Sequence, residues 1–351
     1  MGQSVANKQR KGETMYRLYV GIDIAAEKAA VAWQVADTGE WGALDIAQRR
    51  SDYARLVRQL GLQAAPADTV VVMEATGIYW LALADYLHEQ GFVVSVINPL
   101  QARRFAQLHL QRAKTDAIDA HLLALYARQM QPAAWTPPPA IYYRLQQRLS
   151  YRQDLVEMRA QERNRLHALT HNPHADQAVV QRLRHHLSYL EGEIEALEAE
   201  LQALLAQDHP WADAARRLST IKGCGLITIA WLLVATQCFA FCHAPQQAAA
   251  FAGLVPHPRH SGSSLHTRRS VGRGGHAQLR ATLFMAALSA ARYNPPVKAL
   301  YDRLLARHKP NKVARVAAAR KLIHIAWAVV VNERDFDPQC ALSHHTVPLP
   351  T

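Results

Sequence analysis

Along residues 16–130, short apolar runs alternate with segments of helical spacing. YRLYVGIDI, 16–24, is an unbroken run of buried-strand length. AAVAWQVAD at 29–37 predicts its hairpin partner, and ALDIAQ at 43–48 a third strand. SDYARLVRQLGL, 51–62, has helical spacing behind a serine N-cap. TVVVMEATG at 69–77 is a second buried strand, ending at Glu74. YWLALADYLHEQG, 79–91, predicts a helix with a glycine stop, and FVVSVINP, 92–99, a strand closed by Pro99. HLLALYARQ adds a further helix from His121. Three strands followed by alternating helices and strands describe a mixed sheet covered by helices.

PAAWTPPPA, 132–140, interrupts every regular pattern and marks the first boundary. Residues 141–206 then read as helix. Leu183, Leu187, Leu190, Ile194, Leu197, Leu201 and Leu204 repeat at alternating spacings of four and three, a heptad seam. The arm before HNPHAD is rich in arginine and the end of the arm after it in glutamate. That pairing suits an antiparallel helical hairpin, and the same seam could join two chains. From Trp211 the chain is helical, alanine-rich and basic. The pattern is thus α/β plus α, in three segments: 16–131, a coiled-coil hairpin at 141–207, and a mainly helical domain at 211–338.

Charge narrows the function. The 351 residues carry 40 Lys and Arg against 28 Asp and Glu, a formal +12, which favours a polyanionic partner such as nucleic acid. The first 15 residues lack the apolar stretch of a signal peptide, and no apolar run reaches membrane-spanning length. Four cysteines, Cys224, Cys238, Cys242 and Cys340, form no disulfide framework. A cytoplasmic protein with no membrane association is expected. Cys238, Cys242 and His243 lack a second ligand pair at zinc spacing, so the thiols read as ordinary core or surface groups.

Four carboxylates carry the candidate chemistry. Asp23 lies on the first strand and Glu74 at the end of another; if the two strands run parallel, both side chains can emerge near one sheet edge. In KTDAIDA, 114–120, Asp116 and Asp119 are three apart and share one helix face. At a helix start their charge also meets the favourable end of the dipole, so capping alone would account for them. Asp23 alone could be a turn residue, and Glu74 a partner of the ATG turn that follows. Together, in this order, they read better as oxygen ligands for Mg²⁺ or Mn²⁺. Two such ions about 4 Å apart can hold both reacting oxygens of a phosphodiester. Lys114 could contact a phosphate or neutralise its neighbours.

Two loops in the last segment add to this. IKGCGLITI, 221–229, sets Lys222, Gly223 and Gly225 in a turn whose N–H groups could meet a phosphate at a helix start. AFAGLVPHPRHSGSSLHTRRS places Ser261 among His260, Arg259, His266, Arg268 and Arg269, where cations could hold a phosphate beside a hydroxyl. Ser263, Ser264 and Ser270 compete for the same role, and a flexible basic loop touching the backbone of DNA fits the chemistry as well.

VGIDIA, MEATGIYW, VINPLQARRFA and KTDAIDA, in this order and spacing, resemble the N-terminal domain of the DEDD transposases of insertion-sequence family one-hundred-ten. That domain is similar to the RuvC Holliday-junction resolvase. FAGLVP, a following Ser-Gly and GGHAQLR resemble the C-terminal domain of the same family. The resemblance implies an RNase H-like fold with Asp23, Glu74, Asp116 and Asp119 as the metal tetrad. It implies Ser261 as a nucleophile that links to DNA. It also implies donor and target DNA, a guide (bridge) RNA, and an assembly of at least two chains, dimer or tetramer. Lys114, Lys222, Gly223, Gly225, Arg268, Arg269, Arg273 and Arg280 are candidate nucleic-acid contacts. The sequence departs from the family at Val271–Gly272–Arg273, where an Ile-Ser-Lys-like stretch is common, and at His276, where Asn or Asp is usual.

A RuvC-like junction nuclease using water would keep the tetrad and give Ser261 no covalent role. A sugar- or acetate-kinase-like ATPase would need a duplicated half after residue 140, and none is found. A non-catalytic nucleic-acid-binding protein would have no use for the four carboxylates.

Overall fold

The computed structural model describes residues 16–109, 115–207, 209–257, 270–271 and 274–339. The chain divides into two compact units, Met1–Pro137 and Pro138–Thr351, with the boundary inside the proline-rich stretch.

In the first unit, strands β1 (Leu18–Ile24), β2 (Lys28–Val35) and β3 (Trp41–Ala47) form an antiparallel meander. Helix α1 (Arg50–Gly61) leads to β4 (Thr69–Glu74), α2 (Leu81–Glu89) leads to β5 (Val93–Ile97), and α3 (Pro99–Leu108) and α4 (Asp116–Met130) follow. The sheet order is β3-β2-β1-β4-β5, with β1, β4 and β5 parallel. This mixed α/β arrangement is consistent with an RNase H-like domain. Alternation along β1 divides the core in two. Leu18, Val20 and Ile22 join Tyr53, Leu56, Leu83 and Leu87 of α1 and α2. Tyr19 joins Phe105, Leu123 and Tyr126 of α3 and α4.

One boundary differs from the sequence expectation. Helix α1 is not capped by Ser51. Arg49 is the N-cap residue, with no side-chain cap bond, and its guanidinium Nε donates to Asp52 Oδ2 at 2.6 Å.

The second unit begins with two long helices, α5 (Ala140–Thr170) and α6 (Gln177–Ala206), which pack together. Arg148 pairs with Glu200, Arg152 with Glu198 and Arg163 with Glu191. As one number rises the other falls, which defines antiparallel helices. Leu187 through Leu204 of the heptad seam are buried within the chain. Leu190, Ile194 and Leu197 close on Leu155 of α5. Leu201 and Leu204 join Ile141, Leu145 and Leu149 in the main core of this unit. That core surrounds α8 (Leu226–Thr236), whose residues from Thr228 to Thr236 are all buried. Around it lie α7 (Ala212–Ser219), α9 (Pro245–Phe251), α10 (Ala277–Tyr293), α11 (Pro295–Ala306) and α12 (Asn311–Val331). A two-stranded ribbon, β6 (Pro256–His257) with β7 (Ser270–Val271), lies between α9 and α10 in sequence. No helix among the described residues is long and apolar enough to cross a membrane.

Candidate active site

Parallel pairing of β1 with β4 sets Ile22 opposite Met73. The next residue on each strand is Asp23 and Glu74. Both carboxylates therefore leave the same edge of the sheet, at the carboxyl ends of neighbouring parallel strands. The Thr76 hydroxyl donates to Glu74 Oε1 at 2.6 Å, so the ATG turn orients this carboxylate.

Helix α4 brings the other two. Gly21 and Asp23 are two apart on β1 and point to one face. Over Gly21 the helix comes so close that a Cβ there would overlap the backbone of Ala120 and Ala124. Ala32 and Ala30, opposite Gly21 and Asp23 on β2, extend this floor of small residues, and Ala120 packs onto them. The close seat fixes the first turn of α4, with Asp116 and Asp119, on the Asp23 side of the sheet. Capping falls to Thr115, whose hydroxyl accepts the Ile118 N–H at 3.3 Å.

Sequence reasoning missed Lys28. It opens β2, and its ammonium lies 2.7 Å from Asp116 Oδ2. Its pKa is raised, first by the hydrogen bond with Asp116 and that carboxylate's charge, and less by Asp45 and Asp23, against an opposing effect of desolvation. Lys28, Ala30, Asp45, Thr115, Asp116 and Ala117 line an open cavity of about 400 Å³. Its only sequence signal was a lysine five residues after Asp23, across a tight turn. His121, two residues past Asp119, stacks on Trp41 of β3 with ring centroids 3.6 Å apart, and burial lowers its pKa.

The donor chemistry at this edge, carboxylate oxygen throughout, fits a hard divalent cation. The side chains share the edge without closing on one point: among the described residues no three His, Cys, Asp or Glu groups stand ready to hold a metal. Asp116 is engaged by Lys28 instead.

In the second unit, Lys222 and Gly225 are exposed and Gly225 is the N-cap of α8. Gly223, at φ 102°, turns inward onto Ala290 of α10. Asn294 Nδ2 donates to the Lys222 carbonyl at 3.0 Å, tying this turn to the end of α10. Ser261, Arg268, Arg269, Arg273 and Lys114 lie outside the described residues. The base of the serine loop is described. His257 pairs with Ser270 and Pro256 with Val271. Behind the ribbon, Gly253 and Gly275 approach until a Cβ on Gly275 would meet the Gly253 backbone. The His276 N–H donates to the Phe251 carbonyl at 2.7 Å, and Arg280 donates to the Gly274 carbonyl at 2.7 Å. His276 itself is the N-cap of α10, its Nδ1 accepting the Leu279 N–H at 3.1 Å. Asn and Asp are preferred caps for the same reason, so histidine here can perform the task to which those residues are suited. Cys224 and Cys242 are buried, unbridged thiols, and burial pushes the Cys224 thiol up to about 12.

Comparison with known proteins agrees with this architecture. A DEDD transposase model of the IS110 type matches residues 20–172, and a model of the IS116/IS110/IS902 transposase family matches residues 215–302. A pilin gene-inverting protein of Moraxella bovis is 30% identical over 328 residues, covering 92% of this chain and 98% of that protein. The transposase for insertion sequence element IS1328 of Yersinia enterocolitica is 26% identical over 311 residues, 81% of this chain and 90% of that one. The 43.6 kDa protein of insertion element IS110 from Streptomyces coelicolor is 32% identical over 152 residues, 43% of this chain and 36% of that one. A sheet edge bearing Asp23 and Glu74, a helix start bearing Asp116 and Asp119, and matches across both units have one conclusion: the chain belongs to the DEDD transposases of the IS110 family and is a DNA recombination enzyme.

Proposed function

We propose that this transposase cuts and rejoins DNA with Asp23, Glu74, Asp116 and Asp119 as ligands for Mg²⁺ or Mn²⁺ and Ser261 as the nucleophile. The observation that carries the reading is the equivalent position of Asp23 and Glu74 on adjacent parallel strands, with α4 bringing two more carboxylates to that side. Divalent ions bound there would offset phosphate charge as the reaction proceeds. The Ser261 Oγ attacks the scissile phosphorus. An Oγ–P bond forms and the P–O bond to one strand end breaks; the serine proton passes to solvent and the departing oxygen takes a proton from solvent, so that end leaves as a hydroxyl. Rejoining reverses the step: a hydroxyl of another strand attacks and serine is released. The phosphodiester count is conserved, so no external energy source is required.

Donor and target DNA are the substrates of this reading, with a guide RNA and an assembly of two or four chains. The excess of basic residues supports polyanion partners. The turn bearing the exposed Lys222 and Gly225, and the exposed Arg307, Lys309 and Lys312 where α11 gives way to α12, are the surfaces we assign to them. The test is strand exchange in Mg²⁺ with single substitutions. Ser261→Ala, and separately Asp119→Asn, should each reduce product at least about 100-fold without unfolding the protein. Normal exchange by Ser261→Ala, with the tetrad still required, would favour a water-using nuclease chemistry instead.

A further inference from the structure

We infer that Lys28 is a built-in counter-ion of the carboxylate site: its ammonium holds Asp116 until a divalent ion displaces it. The inference rests on the metal reading above. Three observations carry it. Lys28 stands at the first position of β2, opposite Ala47 of β3, and its carbonyl accepts the Ala25 N–H at 2.9 Å, so its backbone is fixed by the sheet. Its ammonium lies 2.7 Å from Asp116 Oδ2, and both side chains are more than half exposed, at 67% and 54%. It also lines one cavity with Asp116, Thr115 and Asp45, a second carboxylate that draws a cation to the same place.

Carboxylates gathered at one edge repel each other unless a cation stands among them. A tethered ammonium meets that need before metal arrives. It is monovalent and its stem is flexible, so a divalent ion with several oxygen ligands can replace it. Once displaced, the ammonium remains at the rim of the site, where a DNA phosphate would be its next partner. Lys28 is thus a positioning residue, and it competes with the metal for Asp116.

The test is Mn²⁺ binding to the full chain by calorimetry, without nucleic acid. Lys28→Met should bind Mn²⁺ about three- to fivefold more tightly than the wild type, the scale of one exposed ion pair. Lys28→Arg should restore wild-type affinity. Asp116→Asn should weaken binding, and adding Lys28→Met to it should then change the affinity no further. A saturable site whose affinity is unchanged or weakened by Lys28→Met alone overturns this inference and leaves the metal reading standing. If no site is seen, or if Asp23→Asn and Asp116→Asn bind as the wild type does, the metal reading falls and this inference with it.

Discussion

His276 caps helix α10 with a ring nitrogen in place of the usual side-chain oxygen. Its Nδ1 accepts the Leu279 N–H, which requires a neutral ring, and burial lowers its pKa. His276→Ala should therefore cost about 1 kcal/mol of stability, the usual loss of an N-cap, and His276→Asn should recover most of it. Urea unfolding of the three proteins at neutral pH measures this. Sequence comparison marked His276 as a departure, because the letter alone does not reveal which backbone group a side chain serves. Lys28 was hidden for a similar reason. Its partner, Asp116, is remote in sequence, and no local spacing predicts a pair made by tertiary packing. Thr115, by contrast, sat in plain view before the helix it caps. The charge of Asp116 and Asp119 had looked sufficient for that task.

At the level of elements, the seat of α4 on β1 decides whether Asp116 and Asp119 reach the Asp23 side of the sheet. Gly21 lies under the helix backbone, so a side chain there cannot be absorbed by a rotamer change. Gly21→Val should lift α4 and destabilise the first unit by about 1–3 kcal/mol, the range for overpacking. It should also abolish divalent-ion binding at temperatures where the variant is still folded. Thermal unfolding and Mn²⁺ titration on the same sample separate the two effects. The strands were legible because buried parallel strands must be continuous apolar runs, and VGIDI and VVVME have no other stable environment. The start of α1 was less legible. Ser51 has the right chemistry for a cap, but Arg49 takes the N-cap position and pairs with Asp52. The heptad seam on α6 allowed either a hairpin or a dimer. Three Arg–Glu pairs from α5 to α6, together with burial of Leu190, Ile194 and Leu197, occupy that seam within one chain.

For the whole molecule, acid should lower stability, with contributions from histidines in both units whose pKa is lowered by desolvation. Burial, with Arg320 and Lys321 adding, lowers the His324 pKa from 6.5 to about 4. Its Nε2 is buried without a hydrogen-bond partner. The unfolded chain binds this proton more readily than the folded one, so the contribution is present above pH 6.5 and lost as pH falls through about 4. Burial lowers His276 in the same direction. Unfolding midpoints recorded from pH 7 to pH 4 should fall, and His324→Gln should flatten the slope. An unchanged slope would mean that other groups carry the acid sensitivity. The proline-rich break at WTPPPA was legible in the sequence, where it closes the first of three expected segments; in the structure the hairpin and the residues beyond it lie in one compact unit. The joint action proposed for the two parts was not legible from periodicity or charge, because a serine in a basic loop and a carboxylate edge share no local pattern. Family resemblance alone linked them.

The proposed chemistry joins Ser261 covalently to DNA in a reaction that needs the carboxylate edge. The direct measurement is to incubate the protein with DNA bearing insertion-sequence ends, the proposed guide RNA and Mg²⁺, denature the mixture, and map any DNA-linked peptide by mass spectrometry. An adduct is expected on Ser261 that is absent from both Ser261→Ala and Asp119→Asn. Recombined DNA formed with no adduct, or an adduct on Ser263, Ser264 or Ser270 that survives Ser261→Ala, would contradict it.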